Sequence, residues 1–98
     1  MFPKNIFQVR NDDMHPYASR GDIVIYEPIE LGERIYKGTY IVKYKKEMII
    51  ARVQRFIKTG EMWLIFDNDL SKTIKLKKCE QIQVIFFGRV REVLKRLG

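Results

Sequence analysis

The chain has 98 residues, of which 46% are hydrophobic and 32% charged, and it carries a formal net charge of +7. That length suits one domain, the composition excludes a disordered chain, and apolar runs such as Val84-Ile85-Phe86-Phe87 fall far short of the roughly 20 residues of a membrane-spanning helix. One cysteine, Cys79, excludes an internal disulfide framework or a multi-cysteine zinc site, and no secretory succession follows Met1; a single domain over 1–98 in a reducing cytoplasm is expected.

Strand signals dominate the chain order. Ile6-Phe7-Gln8-Val9 is a short β-favouring run bounded by Asn5 and by Asn11-Asp12-Asp13. Ile23-Val24-Ile25-Tyr26, rich in β-branched residues between Gly21-Asp22 and Pro28, reads as a buried strand. Residues 39–44 and 48–53 flank Lys45-Lys46-Glu47 as a hairpin whose turn lacks the Asn-Gly or Asp-Gly signal. Lys58-Thr59-Gly60 turns the chain into a strand over 61–66, and Asp67-Asn68-Asp69 ends it. Ile82 to Phe87 then closes the sheet. In the tail, Val90, Val93, Leu94 and Leu97 fall at i, i+3, i+4, i+7, the spacing of a short helix.

The charge is unevenly spread. Residues 1–36 hold four Lys/Arg against six Asp/Glu, and residues 37–98 hold fifteen against six. The groups Lys72, Lys75, Lys77, Lys78 and Arg89, Arg91, Lys95, Arg96 can meet phosphate, or can simply be a solvated face. Trp63, Phe66, Phe86 and Phe87 could stack on bases, although aromatic residues in strands usually fill cores. There is no Gly-rich phosphate loop and no Gly-x-Ser-x-Gly elbow. A Ser-His-Asp arrangement would need His15 with Ser19 or Ser71, and a zinc site would need His15 and Cys79; a surface histidine and a packed thiol account for both. Asp12, Asp13 and Asp22 could gather for Mg²⁺ or acid–base work, but turn chemistry explains them as well. No metal and no cofactor is expected.

One segment carries more information. Val9-Arg10-Asn11-Asp12-Asp13-Met14-His15-Pro16, followed by Gly21-Asp22-Ile23-Val24, resembles the V-x-G-D-S-M-x-P … G-D-x-V signature of the self-cleaving domains of LexA, the lambda-type repressors and UmuD, a superfamily that includes the signal peptidases. Gly38-Thr39-Tyr40-Ile41-Val42 is similar to that family's G-x-Y-V-V strand, and Glu47 to Val53 to its G-E-x-x-V-K-R-L strand. Leu64 to Asn68 is similar to L-x-S-D-N, and Phe87-Gly88-Arg89-Val90 to I-G-R-V. The resemblance implies a mainly β, compact fold of twisted antiparallel sheets, partly barrel-like. It also implies a last strand running to about Arg91, with a short C-terminal helix the open alternative beyond it.

In that family the serine of G-D-S-M is the nucleophile and the lysine of K-R-L is its base, a Ser-Lys pair. Here the serine position holds Asp13, the lysine position holds Ala51, and Asn11 replaces the preceding glycine, within a groove motif of Asn11, Asp12, Met14, Pro16, Gly21 and Asp22. A carboxylate would repel the developing oxyanion, alanine accepts no proton, and a shifted register would offer only the amide of Gln54. A partly buried Asp13 is expected to seek a cation such as Arg52.

The resemblance therefore implies a catalytically silent homologue rather than an enzyme. It would be the dimerisation module of a phage-type or stress-response (SOS-like) transcriptional regulator, a homodimer whose DNA contact lies in a separate helix-turn-helix segment not in this chain. The expected interface is Ile82, Val84, Phe86, Arg89, Val90 and Val93, within residues 82–93. The alternatives are a nucleic-acid-binding basic β module touching phosphate through Lys72, Lys75, Lys77 and Lys78, and a groove that holds an extended peptide without cutting it.

Overall fold

A computed structural model describes residues 5–30, 32–35 and 37–96. Seven strands make one antiparallel sheet: β1 (Asn5–Gln8), β2 (Ile23–Pro28), β3 (Lys37–Tyr44), β4 (Glu47–Arg55), β5 (Met62–Ile65), β6 (Ile74–Leu76) and β7 (Val84–Leu94). Their order across the sheet is β1-β2-β7-β3-β4-β5-β6. The expected mainly β class holds, but the sheet has two free edges, β1 and β6, and does not close into a barrel. Two 3₁₀ turns, Leu70–Lys72 and Lys78–Gln83, are the only helical segments among the described residues.

β7 lies at the centre of the sheet, between β2 and β3, and not at its closing edge. It runs unbroken to Leu94, so the helical reading of the tail is overturned for Val90, Val93 and Leu94; Leu97 lies outside the described residues. Two register shifts explain the misleading period. Val42 pairs with Phe86 and Ile41 with Gly88, leaving Phe87 extra; Tyr26 pairs with Val90 and Ile25 with Glu92, leaving Arg91 extra. Each bulge adds one residue to a period of two. Val90 and Val93, three apart, thus both pack against the core as they would on a helix.

Other sequence signals behave simply. β3 and β4 form the expected hairpin, with Tyr44 opposite Glu47. Its two loop residues, Lys45 and Lys46, have φ of 50° and 69°. Positive φ at both positions defines a type I′ turn, the loop that matches strand twist. Asp69 caps the first 3₁₀ turn by accepting from the Ser71 N–H and hydroxyl. The core gathers Tyr40, Ile41, Val42, Ala51, Val53, Met62, Leu64 and Leu76 from β3, β4, β5 and β6, with Val24 from β2. Met14, Ala18 and Val9 join it from the segments around the motif. No described helix is long and apolar enough to cross a membrane.

Candidate functional site

The motif segment between β1 and β2 is a run of interlocked turns. The Asn11 side-chain oxygen accepts from the Asp13 N–H at 3.0 Å, and Asp12 accepts from the Arg20 N–H at 2.9 Å. Met14 is 2% exposed and anchors the segment in the core. Gly21, with φ of +93°, donates its N–H to the Val9 carbonyl. The same segment docks on the end of β5: the Asn68 N–H donates to the Asp13 carbonyl at 2.9 Å, and the Asp67 N–H approaches the Met14 sulfur at 3.5 Å.

Asp22, 3% exposed, fastens both ends of the motif to the C-terminal segment. It accepts from the Ser19 N–H and the Arg96 N–H, each at 2.8 Å, and faces the Lys95 ammonium at 3.3 Å. The two backbone donors, Ser19's first, hold its carboxyl below the usual carboxylate range. Lys95 also donates to the carbonyls of Pro16 and Tyr17. Asp12, Asp13 and Asp22 are each committed to separate partners, and among the described residues no three His, Cys, Asp or Glu gather as metal ligands. His15 Nδ1 lies 2.6 Å from the Ser19 hydroxyl, while Asp22 takes the Ser19 backbone N–H and not the imidazole. Cys79 is exposed.

Asp13 and Ala51, the two positions that the sequence resemblance matches to a catalytic pair, differ sharply in their surroundings. Asp13 is half-buried, and its cation is Lys72 at 3.6 Å, not the expected Arg52. Arg52 grips Asp67 through two hydrogen bonds of 2.6 and 2.8 Å, which raise its own pKa. The Arg52 guanidinium also lies over the Tyr17 ring at 5.1 Å, and burial pushes the Tyr17 phenol up. Ala51 is fully buried. Because side chains alternate along a strand, Ala51 points to the side of the sheet that holds its register partner Tyr40. Arg52 points to the other side, where it meets Tyr17 of the motif segment. Gln54, half-buried, donates to the Arg55 carbonyl at 3.3 Å.

The residues named for an interface divide by face. Val84 is buried; Phe86 packs edge-on against Tyr40 with ring centres 5.6 Å apart; Val90 and Val93 are half-buried against the core. Arg89 is ion-paired with Glu33 and donates to the Tyr40 hydroxyl at 3.2 Å, contacts that raise its pKa and lower that of Glu33. Ile82, by contrast, is 87% exposed, and it is joined by Ile85 at 54% and Phe87 at 38%. Ile85 and Phe87 were not legible as outward residues. In the run Val84-Ile85-Phe86-Phe87 every residue is apolar, so polarity gives no phase, and only the pairing Lys43↔Ile85 and Val42↔Phe86 sets it.

Of the four lysines expected on phosphate, Lys72 is paired with Asp13, whereas Lys75 stands on edge strand β6 with its ammonium 4.4 Å from the centre of the Trp63 ring. Lys77 and Lys78 are exposed at the start of the second 3₁₀ turn.

A family model described as Peptidase S24-like matches residues 4–91, and the chain belongs to that family, which holds the C-terminal domains of LexA, UmuD and the phage repressors. No curated protein matches the chain.

Proposed function

We propose that this chain is a catalytically silent member of its family and serves as the dimerisation module of a transcriptional regulator, with DNA read by a separate helix-turn-helix segment. The observation that carries the reading is the exposure of three apolar residues close in sequence, Ile82 at the end of the second 3₁₀ turn and Ile85 and Phe87 at the start of β7. Strand alternation brings Ile85 and Phe87 to one side, and large apolar side chains exposed together in this way point to a protein contact. Self-cleavage chemistry is missing its two agents. The base position is a buried methyl group, and the nucleophile position carries a carboxylate already matched to Lys72. A carboxylate there opposes the negative charge that develops on an attacked carbonyl.

Sedimentation velocity over a concentration series tests the association. Dimer is expected at micromolar concentration, and Ile85→Glu with Phe87→Glu is expected to weaken it at least about tenfold, since each charge would be buried without a partner. A strict monomer at high micromolar concentration overturns the proposal. Incubation at alkaline pH is expected to leave the intact mass unchanged. A single new fragment that disappears in Asp13→Ala would restore a peptidase.

A further inference from the structure

One row of residues runs straight across β3, β4, β5 and β6. Lys37 is paired with Gln54, Gln54 with Trp63, and Trp63 with Lys75. Directly paired residues share a face, so the row presents ammonium, amide, indole and ammonium in order. Three strand spacings of about 4.8 Å make it roughly 14 Å long. Trp63 sits between Phe56, whose ring centre is 4.7 Å away at a 55° tilt, and the Lys75 ammonium. The indole Nε1 is buried with no hydrogen-bond partner among the described residues. Lys37 and Lys75 have no carboxylate partner among the described residues, and neither have Lys77 and Lys78 beyond the end of β6. Asp67 and Asp13 are taken by Arg52 and Lys72, and the Glu80 carboxylate accepts from the Lys77 backbone N–H at 2.8 Å.

We infer that this face binds single-stranded nucleic acid, with a base stacked at Trp63 and phosphates taken by Lys37, Lys75, Lys77 and Lys78. This goes beyond the dimerisation role, which uses β7. In the free protein the Lys75 ammonium covers the indole face. On binding it moves to a phosphate, and a base takes its place on the ring, so one cation–π contact is exchanged for a stacking contact and an ion pair. The charge pattern selects an anion and the indole selects its kind. A duplex keeps its bases inside its own stack and has none to offer the ring. An acidic peptide would satisfy the lysines but has no flat base to stack. Aromatic and basic residues on an open sheet face are the usual means of holding single strands without sequence preference.

Trp63 is the only tryptophan, so its fluorescence reports on this site alone. The test uses a fluorescein-labelled oligothymidylate of about 16 nucleotides, read by anisotropy and, unlabelled, by tryptophan quenching. Binding at about 50 mM salt with quenching is expected, and a log–log salt slope near −3 for roughly four phosphates. Trp63→Leu is expected to weaken binding about 5- to 150-fold. Lys37→Glu with Lys75→Glu is expected to abolish it, while Lys45→Glu with Lys46→Glu, an equal charge change at the hairpin tip, leaves most of it. Circular dichroism confirms that each variant folds. The inference is overturned by no binding at low salt, by binding without quenching, by a duplex of the same length binding as tightly, by polyglutamate displacing the strand at equal charge, or by the hairpin-tip variant losing as much as the Lys37/Lys75 variant.

Discussion

The Lys72 ammonium stands 3.6 Å from the Asp13 carboxylate, across the gap between the motif segment and the first 3₁₀ turn. Both partners are held by their backbones. Asp13 is fixed by Asn11 and Asn68, and Lys72 ends the turn that Asp69 caps. The pair is partly exposed and contributes no more than about 1 kcal/mol. Its meaning is electrostatic: the Asp13 carboxylate, at the position the resemblance matches to the nucleophile, has a counter-ion from outside the motif, and Arg52 is left to Asp67.

Ala51 stands where the resemblance places the family's base. Ala51 is fully buried at the centre of the sheet, beside Tyr40. Ala51→Lys forces a four-carbon stem and an ammonium into close-packed space. Overpacking alone costs about 1–3 kcal/mol, and an unpaired buried charge adds to it. Urea denaturation should show a clear fall in the midpoint, while Asp13→Ser, at the half-buried surface, changes stability by about 1 kcal/mol or less. An Ala51→Lys protein as stable as the parent would mean that the position has room for an amine.

Much of this architecture was legible because the local signals agree with one another. Ile23-Val24-Ile25-Tyr26 and the two arms of the β3–β4 hairpin are strands by residue type, and they are strands in the fold. The motif Gly21-Asp22 was legible as a site, but its purpose was not, since the partners of Asp22 include Lys95 and Arg96, more than 70 residues away. β7 was misread at its end because two bulges turn a period of two into spacings of three. β6 was missed altogether: Ile74-Lys75-Leu76 is three residues long and is set by pairing with Met62, Trp63 and Leu64.

The β3–β4 turn carries strain that substitution can relieve. Lys45 and Lys46 adopt the left-handed conformation that a type I′ turn demands and that favours Asn and Gly. A non-glycine residue there costs of order 1 kcal/mol or more. Lys45→Asn with Lys46→Gly is therefore expected to stabilise the protein by about 1 kcal/mol, seen as a rise in thermal midpoint of roughly 4–8 °C. An unchanged or lower midpoint would show that the two lysines carry no turn strain.

Gly88 makes the opposite case. It lies at the crossing of β7 with β2, where an added Cβ would stand 2.1 Å from Tyr26 Cδ2 and 2.8 Å from the Glu27 carbonyl oxygen. Gly88→Ala is expected to cost about 3 kcal/mol, at the upper end for overpacking. Tyr26→Ala in the same chain should recover only part of that loss, because the Glu27 carbonyl belongs to the backbone and cannot swing away. A double-mutant cycle in urea measures the coupling, expected within about 0.5–3 kcal/mol. Full recovery would assign the whole clash to the ring.

Asp22 makes stability depend on pH in a definite direction. Its carboxyl is held below the usual 3.8 by the Ser19 and Arg96 N–H groups, with Lys95 adding to them. A carboxyl whose pKa is lower folded than unfolded contributes its full stability above the unfolded value. That contribution is lost as pH falls through 3.8 towards the lower folded value, where the folded state also takes up the proton. Asp22→Asn lacks the titration and replaces charged acceptance by neutral, at a cost of about 1.5–3 kcal/mol near neutral pH. Urea melts of the two proteins should therefore show a constant gap from neutrality down to about pH 5 and a narrowing gap below about pH 4. Other carboxyls, such as Glu33 with its Arg89 partner, titrate in both proteins and drop out of the difference. A gap that stays constant into strong acid would mean that the hydrogen bonds, and not the charge on Asp22, hold the motif segment to the C-terminal residues.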